Sequence, residues 1–194
     1  MLVKERFYKF CTKSFFFFIF VFYLSILELN ANERNFIIDK LASTNNLNFD
    51  FTQTSNEKTE KGNCTLVFNN KLHCKYNDEY QKEILIKEDS LIVTQKRYNK
   101  QFFYPLKSSP FVKILNKENL INIIKDANLN INERIELNYI SENEITVYFN
   151  KSNYTLLGWQ ITDNFQNQIN FFIKILSMNV MIDNNIFKTP WINQ

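Results

Sequence analysis

The sequence predicts a mainly β domain with short α-helices, preceded by a removable leader, and three observations carry that reading. From Leu47 onward apolar and polar residues alternate with a period of two over successive short segments. The segments joining the first strands are too short for a crossover helix, so neighbouring strands pair antiparallel. Helical spacing is confined to residues 33–45 and Phe111–Ile124.

The first thirty-one residues read differently. Lys4, Arg6, Lys9 and Lys13 form a basic start, Phe15–Leu24 is an unbroken apolar run, and Ser25–Ala31 ends in a small residue. That order is the layout of a secretory leader, with a cut expected after Ala31. The run falls short of the roughly 20 residues that span a bilayer core; a retained anchor is the alternative. Cys11 precedes the run, so no cysteine is placed for lipid attachment at the new N-terminus. Removing residues 1–31 takes four basic and two acidic residues, lowering the formal charge from +3 to +1. A nearly neutral chain of residues 32–194 suits one domain and excludes nucleic acid as a partner, because phosphate binding needs clustered positive charge.

Within that domain, Phe36, Ile37 and Leu41 share one side of a short N-terminal helix that needs a partner surface to be stable. Leu47, Phe49 and Phe51 then alternate with Asn48, Asp50 and Thr52 as a half-buried strand. Strands follow at Asn63–Phe68, Lys71–Tyr76, Glu83–Lys87, Ser90–Gln95 and Tyr98–Tyr104, with the first turn at Asn69 and Asn70. Pro105 ends this meander. Pro110 opens one or two amphipathic helices, with Asn116 or Asn119 as a cap. Strands resume at Ile131–Tyr139, Glu144–Phe149, Leu156–Thr162 and Gln168–Val180, with a last one around Ile186 and Phe187. Phe171, Ile173 and Ile175 share one face of the long strand, and Phe172, Leu176 and Met178 the other, so both faces are expected to be covered.

Cys64 and Cys74 flank the first turn, and a turn centred near Asn69 sets them opposite each other on adjacent strands, the placement a disulfide requires. A free thiol pair and a metal site are the competing readings. The only histidine, His73, faces away from both sulfurs in a regular strand, so a zinc site is not expected. With one histidine and two glycines (Gly62, Gly158), the chain offers no assignable nucleophile, base or paired carboxylates, and no catalytic residue, metal or cofactor is expected.

Segments spread over residues 33–190 resemble the outer-membrane lipoprotein carrier (LolA) family: LNFDFTQT at 47–54, GNCTL at 62–66, KLHCKY at 71–76, YPLKSSPFVKIL at 104–115, GWQITD at 158–163, and Asn179 together with Phe187. The resemblance implies an incomplete antiparallel β-barrel, or half-barrel, with helices forming a lid over an apolar cavity. It further implies a periplasmic monomer that accepts acylated lipoproteins from an inner-membrane ABC transporter and delivers them to an outer-membrane receptor. The family's arginine and proline between the second and third strands, tied to lid closure, are replaced here around Asn69 and Asn70.

On that reading the cavity lining is Phe49, Phe51, Leu66, Phe68, Leu72, Ile84, Ile86, Leu91 and Val93, and the lid residues are Phe111, Ile114, Leu115, Leu120 and Ile124. For each, an ordinary core role is the alternative, since periodicity does not separate a cavity wall from a filled interior. A lipid- or lipoprotein-sensing protein of the same fold and a structural envelope protein are the other functional readings.

Overall fold

The computed structural model describes residues 32–56, 58–69, 71–108, 112–141, 144–162 and 167–189; the leader, Asn70, Pro110 and Phe111 lie outside them. The chain divides into two units, Met1–Phe36 and Ile37–Gln194. Residues 32–36 of the first are helical, and the helix α1 covers residues 32–42, with Ile37 and Leu41 buried.

The second unit is built on one antiparallel sheet of eleven strands. The first wing is a meander: β1 (Asn46–Ser55), β2 (Lys58–Val67), β3 (Lys71–Tyr76), β4 (Lys82–Lys87), β5 (Ser90–Gln95) and β6 (Lys100–Pro105). Two short helices follow, α2 (Val112–Leu115) and α3 (Lys117–Asp126). The second wing is β7 (Asn128–Ile131), β8 (Ile135–Ile140), β9 (Glu144–Phe149), β10 (Leu156–Thr162) and β11 (Gln168–Met178). The strand order β6-β5-β4-β3-β2-β1-β11-β10-β9-β8-β7 joins the wings through β1 and β11 and leaves β6 and β7 as edges, so the sheet is not closed into a barrel.

Alternation puts one apolar side chain in every two on the same face, and the register aligns them across strands. One row runs Phe49, Cys64, Cys74, Ile84, Val93, Phe102; the next runs Leu47, Leu66, Leu72, Ile86, Leu91, Tyr104. The second wing continues the face with Phe171, Trp159, Val147 and Leu137. Ile114, Leu115, Leu120, Ile123 and Ile124 of the helices are buried in the same apolar cluster. Asn116 caps α3, its side chain accepting from the Asn119 N–H at 3.0 Å. A ten-residue helix is too short to hold itself together in water, so α3 exists because its apolar side is docked.

A second, smaller cluster lies on the other face. Asn179, at φ 54°, accepts from the Asn45 N–H at 2.6 Å and donates its side-chain amide to the Ser43 carbonyl at 2.8 Å, where the chain leaves β11. Phe187 then packs against Leu85 and Ile92, and Lys71 Nζ lies 6.0 Å from the centre of its ring.

Several expectations are corrected. Ile186 and Phe187 belong to a 3-10 turn, Asn184–Phe187, not a strand, because the Asp183 side chain accepts from the Asn185 N–H at 2.9 Å and closes the chain locally. The strand read at Ile131–Tyr139 is two strands folded back at residues 132–134. Residues Lys96–Tyr98 form a 3-10 turn, so β6 begins at Lys100. The long strand ends at Met178 and is not covered on both faces. Phe172 and Leu176 are 38% and 58% exposed, whereas the register slip that skips Leu176 places Met178 opposite Leu47, against the main cluster.

The concave apolar face as a candidate functional site

At one end of the inner face an aromatic column crosses five strands, four of which supply its rings. Tyr76 meets Phe51 edge-on at 4.8 Å between ring centres; Phe51 stacks on Phe171 at 4.8 Å, and Phe171 on Trp159 at 4.6 Å. Gly62, paired opposite both Phe51 and Tyr76, makes this possible: a Cβ there would stand 2.7 Å from the Phe51 ring and closer still to the Lys75 carbonyl. The column ends in polar groups. Tyr76 donates to Gln53 at 2.8 Å, Lys82 Nζ stands 3.8 Å above the Tyr76 ring, and Glu60 binds both Lys82 and Lys58 at 2.8 Å. Burial works against the Glu60 charge, but the hydrogen bonds from Lys58 and Lys82 outweigh it and hold its carboxyl below the ordinary range. Burial raises the Tyr76 phenol, which stays neutral and donates.

Beside this column Phe49, Leu72, Cys74, Tyr76, Ile84, Ile86, Leu91, Trp159 and Phe171 enclose an apolar cavity of about 40 Å³. A single water needs about 10–15 Å³ by that measure, so this space is far short of an acyl chain. Ile114, Leu115, Leu120, Ile123 and Ile124 of the two helices belong to the same apolar cluster as most of this wall.

Of the residues read as an acyl-chain lining, Phe49, Leu72, Ile84, Ile86 and Leu91 border this small space. Phe51 and Leu66 share their face but are packed into the core, and Val93 lies in the same row, half-buried. Cys74, Tyr76, Trp159 and Phe171 complete the wall. Trp159 and Phe171 come from the second wing, and only the alternation of β10 and β11 hinted at them. Cys64 and Cys74 are directly paired and joined by a disulfide. Of the residues expected to form a lid, Ile114, Leu115, Leu120 and Ile124 are buried, as are Ile123 and Ala127.

Phe68 behaves differently from the other lining candidates. It lines an open groove of about 650 Å³ between the β2–β3 turn and α3, together with Asn45, Asn69, Asn116, Lys117, Ile121 and Lys125. It also lines a small internal void of about 20 Å³ with Leu47, Phe149 and Met178. Phe68 therefore separates groove from interior. The groove is within the 300–1,000 Å³ range of ligand sites.

On the convex face, Glu83 is held by Lys96 at 2.6 Å and lies 3.3 Å from His73. Burial opposes the Glu83 charge, yet the hydrogen bonds from Lys96 and His73 prevail and hold it below the usual carboxylate range. Burial pushes His73 below its usual value despite Glu83. Among the described residues no three metal-binding side chains come together.

An open antiparallel half-barrel whose apolar inner face is stoppered by short helices defines a class of proteins suited to sheltering apolar groups. The chain belongs to the outer membrane lipoprotein carrier protein LolA family, whose model matches residues 42–190. Members of that family are typically non-catalytic carriers. No curated protein sequence matches this chain. Solved structures with a similar chain path include lipoprotein LppX of Mycobacterium tuberculosis, at 12% identity and TM-score 0.49 over 80% of this chain and 98% of that one. A LolA superfamily protein of Nitrosomonas europaea matches at 12% identity and TM-score 0.41, over 79% and 96% of the two chains. LprF of Mycobacterium bovis matches at 10% identity and TM-score 0.44, over 79% and 95%.

Proposed function

We propose that this protein is a periplasmic carrier that shelters the acyl chains of lipoproteins released by an inner-membrane ABC transporter and hands them to an outer-membrane receptor. On this reading it is exported by a leader cut after Ala31 and works as a monomer without a cofactor. Beyond family membership, one observation carries the reading: the inner face is closed by a segment outside the sheet, α2 and α3, docked through Ile114, Leu115, Leu120, Ile123 and Ile124. Burying each such side chain contributes roughly 1.5–3 kcal/mol, and acyl methylenes contribute about 0.8 kcal/mol each to the same surface. Acyl chains therefore compete with the helices on equal terms, and because α3 does not persist alone, its displacement amounts to local unfolding. The competition keeps net affinity low enough for release.

Photo-crosslinking in cells tests this. A crosslinking side chain at Leu72 or Ile86 captures an acylated lipoprotein, whereas one at Asp50, on the exposed face of β1, does not. Equal capture at the three positions contradicts the reading.

A further inference from the structure

The strand at one edge of the sheet, β6, carries aromatic side chains on both faces. Phe102 and Tyr104 continue the inner rows, paired opposite Val93 and Leu91, and are 41% and 50% exposed; Phe103 emerges on the convex side opposite Ile92 and is 63% exposed. Tyr98, at the tip of the β5–β6 hairpin, is 51% exposed. No Asp or Glu occurs from Ser90 through Lys117, while Lys96, Arg97, Lys100 and Lys107 lie in or beside the hairpin. Lys96 is engaged by Glu83, and Arg97 lies 3.7 Å from Glu79, so the basic residues that frame the aromatic run itself are the exposed Lys100 and Lys107.

We propose that this edge docks on an anionic lipid bilayer, seating Phe102, Phe103 and Tyr104 at the headgroup level with Lys100 and Lys107 against acidic headgroups. Three arguments favour a bilayer over a protein strand. Pro105 lacks an N–H and the lysines are charged, which are features that deter strand addition at an edge. A pairing strand uses the backbone edge and leaves aromatics above and below it exposed, whereas the interfacial zone accepts aromatic rings on either side of the strand. The acid-free basic stretch complements an anionic surface. Because Phe102 and Tyr104 continue the inner rows, docking by β6 also sets the open side of the sheet against the membrane, where apolar cargo enters or leaves. The proposal does not rest on the identity of the cargo.

The test uses cargo-free vesicles. The protein is floated with vesicles of phosphatidylethanolamine and phosphatidylglycerol, and with vesicles of phosphatidylcholine alone. Binding is expected to the anionic vesicles only, and to weaken with salt. Phe103→Ser, and the pair Lys100→Glu with Lys107→Glu, each lower partitioning about tenfold or more, while Lys174→Glu, on the exposed face of β11, leaves it unchanged. Phe103→Trp in otherwise unaltered protein supplies a readout that does not depend on a disruptive variant: brominated acyl chains quench its emission beyond that of the parent. Equal binding to neutral vesicles, absence of binding, or quenching of the Phe103→Trp variant no greater than that of the parent overturns the proposal. So does concentration-dependent self-association that Phe103→Ser abolishes, which would make the edge a contact between two copies.

Discussion

Lys117 holds its Nζ 5.4 Å from the centre of the Phe68 ring while donating to the Ala42 carbonyl at 3.2 Å, so one side chain of α3 spans the end of α1 and the tip of β2 above the residue that separates the open groove from the interior. Phe68→Ala is expected to join the groove to the internal void. Binding of an environment-sensitive apolar dye should rise several-fold, with stability lower by roughly 3–5 kcal/mol at most. Unchanged dye binding in a folded variant would show that Phe68 is ordinary core.

Ile114 is 1% exposed in α2, and truncating it weakens the closed state without touching the sheet. Ile114→Ala is expected to cost about 2–5 kcal/mol where the helix is docked. Dye binding rises while far-UV circular dichroism still reports the strands.

The Cys64–Cys74 disulfide closes a loop of ten residues between strands that already pair. Its reduction is expected to lower stability by about 2–3 kcal/mol, the chain-entropy value for a loop of that length. Urea unfolding with and without reductant measures it. Alkylation of both cysteines in non-reducing mass spectrometry would contradict the bond.

Two groups on the convex face contribute to the acid response, besides Glu60 on the inner one. Glu83 titrates below its ordinary value in the folded protein, so its contribution is present above pH 4.5 and is lost as pH falls through the folded value. His73 also titrates low; the unfolded chain takes up a proton near pH 6.5 before the folded one does, and stability declines as pH falls below that point. Urea midpoints are therefore expected to fall from pH 7 to pH 5, and less so in His73→Gln. Glu83→Gln should blunt the further fall below pH 4.5. Parallel profiles for all three proteins would contradict the assignment.

The strands of the first wing were legible because apolar residues recur at every second position within each strand, as in Leu47–Phe51, Cys64–Phe68, Leu72–Tyr76, Ile84–Ile86 and Leu91–Val93. The cysteine pairing was legible for the same reason, since the turn at Asn69 fixes the register. What failed to show in the sequence depends on long-range placement. Phe171 and Trp159 become walls of the cavity only because β11 pairs with β1, residues more than a hundred positions apart. The slip at Leu176 sends Met178 inward and breaks an alternation that otherwise reads as two covered faces. Phe187 packs from a turn closed by the Asp183 side chain, where a last strand was expected around Ile186 and Phe187. The helices were readable as amphipathic; that their apolar side joins the same cluster as the sheet's inner face is a tertiary fact.

Displacement of α2 and α3 from the inner face by acyl chains is read by hydrogen exchange. A triacylated lipopeptide is added to the protein, with its deacylated form as control, and amide protection is followed by mass spectrometry. Residues 112–126 are expected to lose protection only with the acylated peptide, while β1, β2 and β3 keep theirs. Protection of 112–126 that stays the same or increases when the acylated peptide binds would contradict it.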